Sequence, residues 1–122
     1  MVFAFIEDGS VQVFGTEAEA VGHFEGIDVE SGVVTFYDDN GVFLEPRFVT
    51  PNQQRRILGP IGWVVSGVYE LVPNSQADAD TFALALYEAQ SLEPNQWFSD
   101  LSHLKAQLAE KGVAVEFAGK ET

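Results

Sequence analysis

The chain has no cysteine, one methionine, two histidines and only six Lys plus Arg among its 122 residues. Without cysteine there is no disulfide framework, no thiolate nucleophile and no Cys-based zinc site. A reducing cytoplasm is the expected location. Basic residues are absent altogether from residues 1–46, and the largest basic cluster is the pair Arg55-Arg56, too small for a nucleic-acid footprint. No apolar run approaches ~18 residues, so no membrane span is expected. The opening MVFAFIEDGS lacks the basic region that begins a signal peptide.

The motifs of common catalysis are missing too. Ser66 has Val64 and Val68 where a nucleophile elbow needs glycine on either side. No Gly-rich loop ends in Lys-Ser/Thr, and Gly59-Pro60-Ile61-Gly62 brings no basic group. His23 and His103 are too few and too far apart in sequence for a transition-metal set. Asp38-Asp39-Asn40-Gly41 lacks the alternating oxygen ligands of a calcium loop. Paired carboxylates carry no signal where acids are so abundant. The expectation is a protein that is not an enzyme and takes no cofactor or metal.

What the chain has is acid. Asp plus Glu number 19 and the net charge is −13; residues 1–46 carry −10 of it and the remainder −3. Such a field repels nucleic acid and anionic lipid and attracts a basic protein, with on-rates toward ~10⁸–10⁹ M⁻¹s⁻¹ at low salt. Solubility alone is the other reading. Hydrophobic residues make up 46%, with ten Phe, three Tyr and two Trp. A chain of this length buries roughly two-thirds of its unfolded surface, so one domain is expected over residues 1–118, with a frayed tail at 119–122.

The pattern reads as α+β: a mostly antiparallel sheet built from hairpins, with two to three packed helices. The organising stretch is 33–49. Asn40-Gly41 lies between Val33–Asp39 and Val42–Glu45, the strongest short signal for a two-residue type I′ hairpin. Pro46 should make the second arm pause, bulge or lie at an edge. Val2–Ile6 and Val11–Phe14 predict a first hairpin around Asp8-Gly9-Ser10. Thr16 and Glu19 form a capping box for a helix buried along Ala18, Val21 and Phe24 and ended by Gly26. Residues 27–32 read as a linker. Strands are expected at 55–58, 61–65 and 68–72, with Ser66-Gly67 as a turn or bulge. The last third changes period: a helix over 77–90, a loop over 91–96, and a helix capped by Ser99 and ended at Gly112. Val113, Val115 and Phe117 alternate as a closing strand. Trp63, Tyr69, Trp97 and Phe98 are expected to pack in the core.

The base-free run 1–46 and the acidic tip Tyr37-Asp38-Asp39-Asn40-Gly41, in a small cysteine-free α+β domain, resemble the bacterial immunity proteins of polymorphic toxin systems. These include the immunity proteins of contact-dependent inhibition and type VI secretion. The resemblance implies tight binding to one cognate toxin, whose active site is covered or distorted. On the hairpin face, Asp28, Glu30, Asp38, Asp39 and Glu45 would meet the basic groups of that partner, and Tyr37 would supply the desolvated centre. Three other readings stay open. A nucleic-acid mimic would space its acids like phosphates along a face. A small enzyme or ligand-binding domain would show a pocket with converging polar groups. A structural module would show a self-complementary apolar patch.

Overall fold

A computed structural model describes residues 1–56, 62–65, 67–74 and 80–113, with side chains at all of these except 53–56, 62–65 and 80. The fold is α+β, a single small domain with a mostly antiparallel sheet. In chain order the elements are β1 (Val2–Ile6), β2 (Ser10–Phe14), α1 (Glu17–His23), α2 (Gly26–Glu30), β3 (Val34–Asp38), β4 (Phe43–Thr50), β5 (Gln53–Arg56), β6 (Gly62–Val65), β7 (Val68–Asn74), α3 (Asp80–Glu88), β8 (Ser91–Leu92) and α4 (Leu101–Glu110). The main sheet runs β7-β4-β3-β1-β2-β8, and β5 pairs with β6 in a separate ribbon.

Strand alternation sends apolar side chains to both faces of the sheet. Val2, Ala4, Val34, Phe36 and Leu44 pack with Ala20, Val29, Tyr69 and Leu71 on the α1–α2 side. Phe3, Val13 and Tyr37 pack with Phe82, Leu86, Leu104 and Leu108 on the α3–α4 side. The helices number four among the described residues, against the two to three expected. The extra one is α2, in the stretch read as a linker. Gly26 begins it rather than terminating α1, which ends at Phe24. The α1 stripe is also rotated: Ala20 is buried and Ala18 exposed.

Both hairpins close on three residues, not two. Asp38 N–H donates to Val42 O at 2.9 Å and Gly41 N–H to Asp38 O at 3.0 Å, with Gly41 at φ 83°. In the first hairpin Gly9 N–H donates to Ile6 O at 3.0 Å, with Gly9 at φ 94°. Each loop thus ends on a left-handed glycine, the three-residue solution in which a G1 bulge restores strand twist. The consequence is register. Tyr37 stands opposite Phe43, whereas a two-residue Asn-Gly turn would have put Asp38 there.

Pro46 does not break β4, which pairs with β7 through Pro46↔Leu71. Leu71 N–H points away from β4, accepted by Glu17 Oε1 at 3.3 Å, so the ring nitrogen of Pro46 faces the β3 side. The β3–β4 ladder stops at Leu44↔Phe36, just before the residue with no donor to offer. The outer edge of β7 is itself blunted by Glu17 and by Pro73.

Tyr69 joins this edge to α1. Its hydroxyl donates to Phe24 O at 2.9 Å and lies 3.4 Å from Val21 O, carbonyls left over at the helix end. Burial pushes the phenol up to about 12, above the ~10 of an unfolded chain. The associated stability is fully present below pH ~10 and lost as pH rises through about 12. It amounts to at most ~2–3 kcal/mol. Tyr69→Phe should cost ~1 kcal/mol at neutral pH and flatten the alkaline decline, as read by urea unfolding between pH 8 and 12.

In the last third, Ser91–Gln96 is not all loop: Ser91 and Leu92 pair in parallel with Ser10 and Val11. Asp100, one residue after the expected Ser99, caps α4, accepting His103 N–H at 2.8 Å, while His103 Nδ1 accepts Ser99 N–H at 3.0 Å. Gly112 (φ 87°) ends α4 in a Schellman motif, with Val113 N–H to Leu108 O at 3.0 Å. The expected closing strand beyond Val113, the tail at 119–122, the turn at Ser66 and residues 77–79 of the expected helix lie outside the described residues. So does the side chain of Trp63.

Candidate functional site

The six residues assigned to a partner face do not form one patch. Asp28 is exposed on α2, and Glu30 Oε1 accepts from Asn52 Nδ2 at 3.1 Å. Asp38 and Asp39 lie at the far end of β3, a four-residue span of ~13 Å. Asp38 is spent on its own turn: Oδ1 accepts the N–H groups of Asn40 and Val42, both at 2.9 Å. Glu45 accepts from Asn74 Nδ2 at 3.2 Å. Tyr37 is not a surface anchor. It is 5% exposed, its ring set against Phe5, Phe43 and Phe82 at centroid distances of 5.5, 5.8 and 5.3 Å. Its place opposite Phe3 in β1 puts it on the same face of the sheet as Phe3, toward α3.

Asp39 is neutralised. Lys111 Nζ donates to its Oδ2 at 2.8 Å and to its carbonyl at 3.0 Å, and the Met1 amine lies 3.8 Å from Oδ1. Partial burial pushes this carboxyl up, but the Lys111 hydrogen bond and the two positive charges outweigh it and hold it below the ordinary carboxylate value. The pair's contribution is therefore present above pH ~4 and lost as pH falls through the lowered value. Lys111→Met should cost no more than ~1 kcal/mol at pH 7, with the difference from wild type vanishing in acid, as measured by urea unfolding at pH 7 and pH 2.5.

A different set of acids converges. At the opposite end of the sheet, a cleft of about 330 Å³ lies between the β1–β2 turn, β3 and the end of α3. Glu7, Asp8 and Glu88 line it; Phe5, Thr35 and Tyr37 are on its sheet side; among the described residues no Lys, Arg or His lines it. Backbone bonds hold the parts in place. Glu7 N–H donates to Val33 O at 2.9 Å, and Gln90 N–H to Gly9 O at 2.8 Å. Asp8 Oδ1 accepts Ser10 Oγ at 2.6 Å and Ser10 N–H at 2.9 Å, and these bonds hold its carboxyl below the ordinary value. The carboxylates of Glu7 and Glu88 carry no hydrogen bond to a described residue.

Tyr37 also lines the cleft, and no buried side-chain oxygen or nitrogen among the described residues lacks a hydrogen-bond partner. Among the described residues no three His, Asp or Glu side chains come close enough to hold a metal ion. No helix among the described residues is long and apolar enough to cross a membrane.

Sequence reasoning passed over Glu7, Asp8 and Glu88. Asp8 reads as turn chemistry with Gly9 and Ser10, and Glu88 falls within the expected helix over 77–90. The only signal was their lack of a neighbouring base. No family model, curated protein or solved structure matches the chain.

Proposed function

We propose that the chain is a small acidic protein-binding domain which holds a basic protein, in the manner of an immunity protein that neutralises a cognate bacterial toxin by direct binding. It acts in the cytoplasm, transforms no substrate, and has no affinity for nucleic acid. The observation that supports this reading is that Glu7, Asp8 and Glu88 line one cleft in which no described residue supplies a cation. Carboxylates gathered without a counter-charge repel one another, and a cation from outside relieves that repulsion. Mimicry of nucleic acid is less favoured. It needs free acids in regular series, whereas Asp38 and Asp39 are bonded within the fold, as are the cap residues Glu19 and Asp100.

The test is co-expression with the product of the neighbouring gene. Rescue of growth and a stoichiometric complex on size exclusion are expected. Glu7→Lys/Glu88→Lys should slow association at least tenfold at low salt and flatten its salt dependence. Absence of both rescue and complex overturns the reading.

A further inference from the structure

We propose that Asn40 is a modification site, deamidating spontaneously at the tip of the β3–β4 hairpin at a rate that Asp38 controls. Two features single it out. The first is the state of its side chain. Of the four asparagines, three have their amides tied into the fold. Asn52 donates to Gly26 O at 3.0 Å and accepts Gly67 N–H at 2.6 Å. Asn74 donates to Glu45 Oε1 at 3.2 Å. Asn95 donates to Glu93 O at 2.9 Å and accepts Phe98 N–H at 2.8 Å. Asn40 is exposed, and its side-chain amide carries no hydrogen bond to a described residue. The second feature is its neighbour. Asn40 alone is followed by glycine, whose missing side chain leaves the next backbone nitrogen open to approach.

The chemistry needs only water. The Gly41 nitrogen attacks the side-chain carbonyl carbon of Asn40, the new C–N bond closes a cyclic imide, and the amide group leaves as ammonia, taking the proton that Gly41 gives up. Water then opens the imide at one carbonyl or the other. The product is aspartate, or isoaspartate, in which the main chain runs through the former side chain. In the closed hairpin the attacking nitrogen is held back, because Gly41 N–H donates to Asp38 O at 3.0 Å. Asp38 also fixes the loop through Oδ1, which accepts Asn40 N–H and Val42 N–H, both at 2.9 Å. The reaction therefore runs from the opened tip, a local opening of the kind that costs least in a fold, and Asp38 sets how often the tip opens. Aspartate would keep the loop and add a negative charge beside Asp39. Isoaspartate would lengthen the main chain in a loop whose Gly41 faces Phe82 and Val113, and so loosen the hairpin.

The experiment ages the full chain at pH 8 and 37 °C, folded and in urea. Peptide mapping by mass spectrometry scores conversion at each asparagine, and an isoaspartyl methyltransferase scores isoaspartate. In the folded chain Asn40 should convert at least about tenfold faster than Asn52, Asn74 or Asn95, the factor that one or two hydrogen bonds hold back. Asp38→Ala removes both Oδ1 bonds and should raise the Asn40 rate about tenfold with the other three unchanged. Asp38→Ser, whose hydroxyl makes the same turn more weakly, should fall between and serves where the alanine variant does not fold. Asn40→Ser should remove the isoaspartate signal. Equal conversion at all four asparagines would overturn the proposal, as would an Asn40 that stays intact in the folded chain while the urea-unfolded chain converts fully. A wild-type rate in both Asp38 variants, or a rise at all four asparagines together, would overturn the control by Asp38.

Discussion

Replacing Phe82 with alanine should lower the unfolding free energy by about 3–5 kcal/mol, the range for truncating a buried phenylalanine. Phe82 is 1% exposed on the inner side of α3. Its ring stacks on Phe3 at 6.2 Å and meets Phe5 edge-on at 6.0 Å and Tyr37 at 5.3 Å. Each such pair adds ~0.5–1.5 kcal/mol to simple burial. A side chain at Gly41 would approach its Cδ2 to 3.0 Å, so Phe82 also supports the hairpin tip. One ring thus seats α3 on β1, β3 and the turn between β3 and β4.

Phe36→Ala provides the comparison. Phe36 is fully buried on the other face, against Phe24 at 5.6 Å and Tyr69 at 6.5 Å, and should cost a similar amount. Urea unfolding of both variants checks this. A Phe82→Ala cost under ~1 kcal/mol would mean that α3 is seated by other contacts.

Much of this architecture was readable from local chemistry. Asp8-Gly9-Ser10 and Asn40-Gly41 marked both hairpins, Thr16 capped α1, and Gly112 closed α4. Each signal acts within a few residues, where backbone preference decides. What escaped was decided at long range. The three-residue loop at 39–41 goes with the register that sets Phe43 opposite Tyr37, where a two-residue turn would set it opposite Asp38. Helix α2 starts on a glycine, against propensity, and is anchored by Asn52 Nδ2 on Gly26 O at 3.0 Å, from 26 residues away. Strand β8 has two residues and exists only because β2 offers an edge. The cleft is of the same kind: Gln90 N–H on Gly9 O sets the end of α3 beside the β1–β2 turn, so that Glu7 and Glu88 line one cleft. Conversely, Asp28 and Asp39 looked adjacent because both border β3, yet they sit at opposite ends of it.

Gly67→Ala should cost about 3 kcal/mol or more, at or beyond the upper end of ordinary over-packing. The reason is which atoms lie in the way. A Cβ at Gly67 would overlap the main-chain carbonyl oxygen of Thr50 and come within 2.6 Å of Pro51 C and 2.8 Å of Asn52 N. Side chains can rotate aside; main chain next to a β-bulge between Phe48 and Thr50 cannot. The same displacement would pull Gly67 N–H from Asn52 Oδ1, now at 2.6 Å. Asn52 in turn holds the first residue of α2 and Glu30, so the damage should spread to that helix. Gly22 supplies the control. It lies inside α1 with no atom within 4 Å of the added Cβ, and Gly22→Ala should stabilise by ~0.5–1 kcal/mol through helix propensity. Opposite signs for the two glycines, read from urea midpoints at equal slope, would separate steric closure at the β4–β7 corner from the general flexibility of glycine. A Gly67→Ala protein within ~0.5 kcal/mol of wild type would mean that this corner opens at little cost, and that Asn52 does not join α2 to the sheet.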